Sequence, residues 1–281
     1  MRRTGPAAAG LVAAVGAGTA YRLRGALPDS VLARFRRTNH AGEEVTLLEG
    51  AAFVLGASVG AVPSGPGPLL ATTAAGLLGG VDDLAGDSSS KGLRGHLGAL
   101  RHGRLTTGSA KVLGLAVSGL AAAALVDRRS RRAAGGHLST CGPGAVGTLL
   151  GGAVIAGSAN LVNLLDLRPG RALKASQLAS VALLVRPSRP GAAAAGAALG
   201  AAAALLGPDL REEAMLGDTG ANAAGALLGA AFVERSGTRG RFVALAVLTA
   251  LTLASERVSF TQVIESTPGL RELDALGRRR R

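Results

Sequence analysis

Residues 68–87 read PLLATTAAGLLGGVDDLAGD: an apolar run over 68–81, then Asp82-Asp83, then Gly86-Asp87. Pro68 opens the run where a missing backbone donor costs nothing. Nothing in 68–81 is charged. The stretch reads as a helix that crosses a membrane and delivers two adjacent carboxylates to its surface. Carboxylates at such a depth are costly and mark function.

Working outward, the same pattern recurs. Apolar runs lie at 5–21, 45–62, 68–81, 109–126, 142–159, 172–185, 191–207, 220–233 and 241–255. Crossing lipid takes about 20 apolar residues, fewer when flanking side chains snorkel. Pro63, Pro66, Pro187 and Pro190 fall in the breaks between runs, and Pro143 at the edge of one. The expectation is an all-α membrane protein, a bundle of nine to ten transmembrane helices over 1–255, with a basic cytoplasmic tail over 256–281. The run that follows Met1-Arg2-Arg3 is read as the first span rather than as a cleaved leader.

Composition agrees with lipid as the solvent. Charged residues make up 17%, against about 25% in soluble domains, and mean hydropathy is +0.34. Aromatics are only 2%, while the chain has 43 glycines, so small residues must let helices approach closely. Net charge is +13, and the basic residues sit between apolar runs. Anionic lipid headgroups are therefore the expected partner, and not nucleic acid. Cys141, the single cysteine, excludes an internal disulfide and is read as a packing residue.

Segments after odd-numbered runs hold 18 Lys and Arg, against 10 on the other side. This bias puts the odd-run ends in the cytoplasm of a plasma (inner) membrane. Three polar segments share that side: Asp82-Asp83, then Asn160-Leu161-Val162-Asn163-Leu164-Leu165-Asp166, then Gly217-Asp218-Thr219-Gly220. Asp82, Asp83 and Asp218 offer hard oxygen ligands of the kind Mg²⁺ takes alongside substrate phosphates. Asn163 adds a carbonyl ligand or amide donor, Thr219 a hydroxyl, and Gly217 close backbone approach. Lys111 offers a point charge for a diphosphate. Taken singly, these are a solvated cap, helix–helix glue, a turn and a snorkelling lysine. In 86–108, Leu93, Leu97 and Leu100 suit a short surface helix carrying His96, a candidate phosphate-binding or acid–base group. The tail beyond Glu256 reads as solvated or bound to headgroups.

In order, Gly80-x-Asp82-Asp83, a lysine on the next helix, Asn160-x-x-Asn163-x-x-Asp166 and Gly217-Asp218-Thr219-Gly220 form a recognisable series. It resembles that of the polyprenyl-phosphate N-acetylhexosamine-1-phosphate transferases, the superfamily of the phospho-N-acetylmuramoyl-pentapeptide transferase. Arg37-Thr38-Asn39-His40-Ala41-Gly42 is similar to that family's first cytoplasmic motif. The resemblance covers about residues 35–235. It implies Mg²⁺ (or Mn²⁺) and transfer of a sugar-1-phosphate from a UDP-sugar to polyprenyl phosphate, releasing UMP, in cell-envelope glycan synthesis.

Carried over, Asp82, Asp83, Asp218 and Lys111 are the catalytic residues, and Asp218, Asn163 and Asp83 the metal ligands. Asn160, Asn163, Asp166, Gly217 and Thr219 would bind substrate, joined outside the family pattern by His96 and by Arg168 and Arg171, which either bind the nucleotide diphosphate in a rearranged way or anchor to lipid headgroups. A second copy of the chain is a further candidate partner. The series departs from the family at Asp166-Leu167-Arg168-Pro169-Gly170-Arg171, where the usual pattern is Asp-Gly-x-Asp-Gly, and no histidine follows His137. These departures motivate an alternative: a catalytically silent relative, acting as a membrane scaffold or lipid-carrier binder in envelope assembly.

Overall fold

A computed structural model describes residues 5–39, 41–85, 107–133 and 144–279. His96, the surface helix expected around it, and Cys141 lie outside the described residues. Among the described residues, nine long helices coincide with the nine apolar runs. They are α1 (Pro6–Leu23), α2 (Leu48–Ala61), α3 (Pro66–Ala85), α4 (Thr107–Ala133) and α5 (Ala145–Leu165), then α6 (Arg171–Leu184), α7 (Ala192–Leu210), α8 (Gly217–Arg235) and α9 (Thr238–Ser255). Two short helices, α10 (Phe260–Ser266) and α11 (Leu270–Ala275), follow. Strands β1 (Arg36–Thr38) and β2 (Glu44–Thr46) pair antiparallel, with Arg37 opposite Val45.

Helix α8 is the axis of the bundle. Fourteen of its 19 residues are buried, and α2, α3, α4, α5, α6 and α7 all pack on it. Its faces are alanine and glycine, so neighbouring backbones come close enough for dispersion contact along the whole helix. Gly79 shows how close: a β-carbon there would clash with the Asp218 carbonyl. On the far side of the bundle, α1 lies between α2 and α7 and buries Ala9, Ala13, Ala17 and Tyr21. Leucines and valines such as Leu11, Leu77, Val117, Leu149 and Val247 point outward instead, the inverse of a soluble core.

Among the described residues, three helices, within Gly108–Ala133, Ala145–Leu165 and Ala192–Leu210, are long and apolar enough to cross a membrane. The pair α9–α10, bent by 94°, makes a fourth if counted as one span. Length and composition of these helices point to a membrane protein. Three of the other long helices show why they fall short. Helices α2 and α6 have 14 residues each. Helix α8 is enclosed by protein, so small residues with little hydropathy suffice there.

One end of the bundle is held by a buried ion pair. Arg241 on α9 and Asp127 on α4 are 2% and 1% exposed. The guanidinium donates to Asp127 Oδ1 at 2.7 Å and Oδ2 at 3.0 Å, and to the carbonyls of Gly147 at 2.9 Å and Val233 at 3.0 Å. Four helices are tied by one side chain. The polar cleft lies at the opposite end.

The tail differs from its expected solvated state. Asp274 on α11 is buried and receives Arg171 Nε at 2.9 Å and Nη2 at 3.0 Å. Lys174 Nζ donates to the carbonyls of Asp274 at 2.7 Å and Leu273 at 3.1 Å. Residues 260–279 therefore fold back onto the start of α6, because two buried cations there need acceptors.

Candidate functional site

Asp82 and Asp83 end α3, where consecutive helical residues point about 100° apart. They part accordingly. Asp82 turns to α4, whose Lys111 Nζ donates to Asp82 Oδ2 at 3.2 Å and also to Asp218 Oδ2. Asp83 turns to α8 and caps its first turn. Its Oδ1 accepts the Asp218 N–H at 3.0 Å; its Oδ2 accepts the Thr219 N–H at 2.9 Å and the Thr219 hydroxyl at 2.6 Å. Free N–H groups at a helix start need such acceptors. Gly217 carries φ +59°, and a β-carbon there would press on the Asp83 carboxylate at 3.0 Å, so the turn and the cap both require glycine.

From the other side, α5 ends at Leu165 and Asp166 caps it. Asn163 and Asp166 face the same cleft as Asp82, Asp83, Gly217 and Asp218, a cavity of about 470 Å³. Arg37 on β1 closes it, with its Nη2 donating to the Asp83 carbonyl. The hairpin is fixed by Asn39, whose Oδ1 accepts the N–H groups of Ala41 and Glu43 at 2.9 Å each. Three segments spread over more than 130 residues thus meet at one end of the bundle.

Not every expected residue joins them. Asn160 donates to Thr252 Oγ1 at 3.3 Å and serves as glue between α5 and α9. Arg171 is 4% exposed and committed to Asp274 and to Thr261 Oγ1 at 2.9 Å, so its expected role toward a nucleotide is replaced by holding the tail. Both Asp83 oxygens accept hydrogen bonds from α8, which makes it a positioning residue as well. Arg168 lines a second, adjoining cavity and approaches Glu265 at 3.5 Å.

Sequence reasoning missed Arg37 as a wall of the cleft, although its motif had been noted. It also missed Asp209 and Glu49, both buried. Glu49 has no hydrogen-bond partner for either oxygen, and Asp209 none for Oδ2. Asp209 Oδ1 accepts the Gly170 N–H at 3.0 Å. For Glu49 the available signal was an isolated acid inside the apolar run 45–62; Asp209 lies just past the run 191–207 and gave none.

Asp166 is half-buried, but its Oδ2 is enclosed without a partner. Burial, with Asp209 adding to it, holds this carboxyl well above the ordinary carboxylate range. Four carboxyl groups in and around the cleft thus face two cations, Lys111 and Arg37. That donor set fits a hard, oxygen-seeking cation. Among the described residues, no three His, Cys, Asp or Glu side chains could hold an ion by themselves. Protein ligands would be few, with water and phosphate oxygens completing the shell, which is how Mg²⁺ is commonly held.

Compared with known proteins, the chain matches no family model, and no curated sequence aligns with it significantly.

Proposed function

We propose that this protein is a metal-dependent glycosyl-1-phosphate transferase of the membrane, moving a HexNAc-type sugar-1-phosphate from a UDP-sugar to polyprenyl phosphate. What carries the reading is the convergence of Asp82, Asp83, Asn163, Asp166 and Asp218, with Lys111 bonded among them, on one cleft at one end of a helical bundle. In this reading all nine long helices span the plasma membrane, and the cleft opens to the cytoplasm for envelope glycan synthesis.

The chemistry needs charge management more than covalent participation. An oxygen of the lipid phosphate attacks the sugar-linked phosphorus of the donor. The bond from that phosphorus to the oxygen bridging it to the uridylyl phosphate breaks, and UMP leaves with the electron pair. Lys111 offers its ammonium to phosphate oxygens, held in place by Asp82 and Asp218. Asp83 fixes the first turn of α8 and thereby the Asp218 side chain. Asn163 and Asp166 would orient the donor. A bound Mg²⁺, held by Asp218 and Asn163, would neutralise phosphate charge.

The test is direct. The chain in lipid nanodiscs receives Mg²⁺, undecaprenyl phosphate and a panel of UDP-HexNAc donors. UMP release and a lipid-linked product of matching mass are expected. Folded protein that turns over no donor contradicts the proposal.

Pro169, where an acid is usual, and the commitment of Arg171 to the tail favour a second reading, a silent scaffold that binds lipid carrier. Asp82→Asn and Asp218→Asn separate the two. Full complementation of a deletion strain by both variants would select the scaffold.

A further inference from the structure

Beside the cleft, and sharing Asp166, Leu167 and Met215 with it, lies a second cavity of about 290 Å³. It is lined by acids on one hand, Asp166, Asp209 and Glu212, and by three guanidiniums on the other, Arg168, Arg278 and Arg279. Asp166 and Asp209 form no ion pair with a described residue, while Arg168 and Arg278 pair with Glu265 and Asp274, outside the lining.

Two of the three arginines belong to the tail, and their arrival depends on a clasp. Arg171 and Lys174 grip α11 at Asp274 and Leu273. Gly277, with φ +77°, turns the chain just beyond. Arg278 Nε then donates to the Pro169 carbonyl at 2.9 Å, and its Nη2 lies 2.8 Å from Asp274 Oδ1. Arg279 follows, exposed, on the cavity wall, with no hydrogen bond to a described residue. Its backbone is placed on the wall by these anchored neighbours, and its guanidinium offers a planar fork to a ligand. Such forks match phosphate oxygens.

We propose that the clasped tail completes a binding site for a soluble diphosphate, with Arg279 and Arg168 as its contacts and the Arg171–Asp274 pair as its positioning device. The identification of that diphosphate with the donor's rests on the transferase reading; the anion site itself does not. The tail is thereby a wall of the site and not a headgroup anchor.

Isothermal titration of the full chain in phosphatidylcholine nanodiscs with inorganic pyrophosphate tests this. Wild type should bind. Arg279→Ala should weaken binding about tenfold or more, the weight of one charge-assisted hydrogen bond. Arg279→Lys should restore only part, because an ammonium lacks the fork. Asp274→Asn should weaken binding similarly while helix content stays unchanged. Wild-type affinity in Arg279→Ala overturns the proposal. So does an Arg279 effect confined to nanodiscs containing phosphatidylglycerol, or folded wild type that binds no pyrophosphate. Binding that depends on Arg279, without UMP release from any donor, would remove the transferase reading and keep this one. Turnover with unchanged donor KM and pyrophosphate affinity in Arg279→Ala would do the reverse.

Discussion

The Asp82-Asp83 pair divides its work by helical geometry. Asp82 shares Lys111 with Asp218, while Asp83 holds the start of α8 through three hydrogen bonds. Asp83→Ala should therefore leave two N–H groups of α8 without acceptors and lower stability by about 1–2 kcal/mol. Thermal unfolding in detergent reads this as a fall in Tm, and an unchanged Tm would show that water replaces the cap without loss. That these acids, Asn163, Asp166 and Asp218 share a site was legible in the sequence, since each ends or begins an apolar run on the same side. Which acid caps and which faces the cleft was not legible, because adjacency does not say where α8 and α4 stand around α3. The bond from Arg171 to Asp274 spans 103 positions and leaves no local pattern at all.

Helix positions were the most legible feature, because apolar Ala/Gly runs here stop abruptly at proline or charge. Predicted run 220–233 became Gly217–Arg235, and 68–81 became Pro66–Ala85. The β1–β2 hairpin was not foreseen; strands of three residues are too short for an alternating pattern to register. The docked tail was unforeseen for a different reason: α11 is six residues long and is held by distant cations. Its attachment should respond to acid. Burial alone would raise the Asp274 carboxyl, but the Arg171 hydrogen bonds and charge outweigh it, with Arg278 and Lys174 adding, and hold it below the usual range. A folded-state value below the unfolded one means docking is strengthened above the unfolded value, about 4. That gain is lost as pH falls through the folded value. Hydrogen exchange of residues 260–279 should stay slow from neutral pH to about 4 and become fast below it, after correction for intrinsic rates. Asp274→Asn should exchange fast throughout, and a wild-type tail equally protected at pH 2.5 and 7 would contradict the clasp.

At the scale of the whole molecule, the bundle packs small residues inside and turns many leucines and valines outward, with a cleft of carboxylates at one end and the Asp127–Arg241 pair at the other. If the nine long helices span a membrane, these ends lie on opposite sides. With Cys141 replaced by Ser, Glu212→Cys should label with an impermeant maleimide from the cytoplasmic side, and Ser188→Cys from the other. Labelling of both from one side would break the topology. The central claim is that the three convergent segments form one phosphoryl-transfer site, and Asp218 is its most exposed commitment. It sits at the first turn of α8 beside Gly217, with its side chain bonded to Lys111. The decisive measurement is the initial rate of UMP release by Asp218→Asn against wild type, at saturating undecaprenyl phosphate and donor, with Mg²⁺ titrated and helix content matched. Loss of a charged group at the transfer centre should slow kcat about a thousandfold, equivalent to roughly 4 kcal/mol of transition-state stabilisation. A wild-type kcat in the Asp218→Asn protein would show that the chemistry does not occur in this cleft.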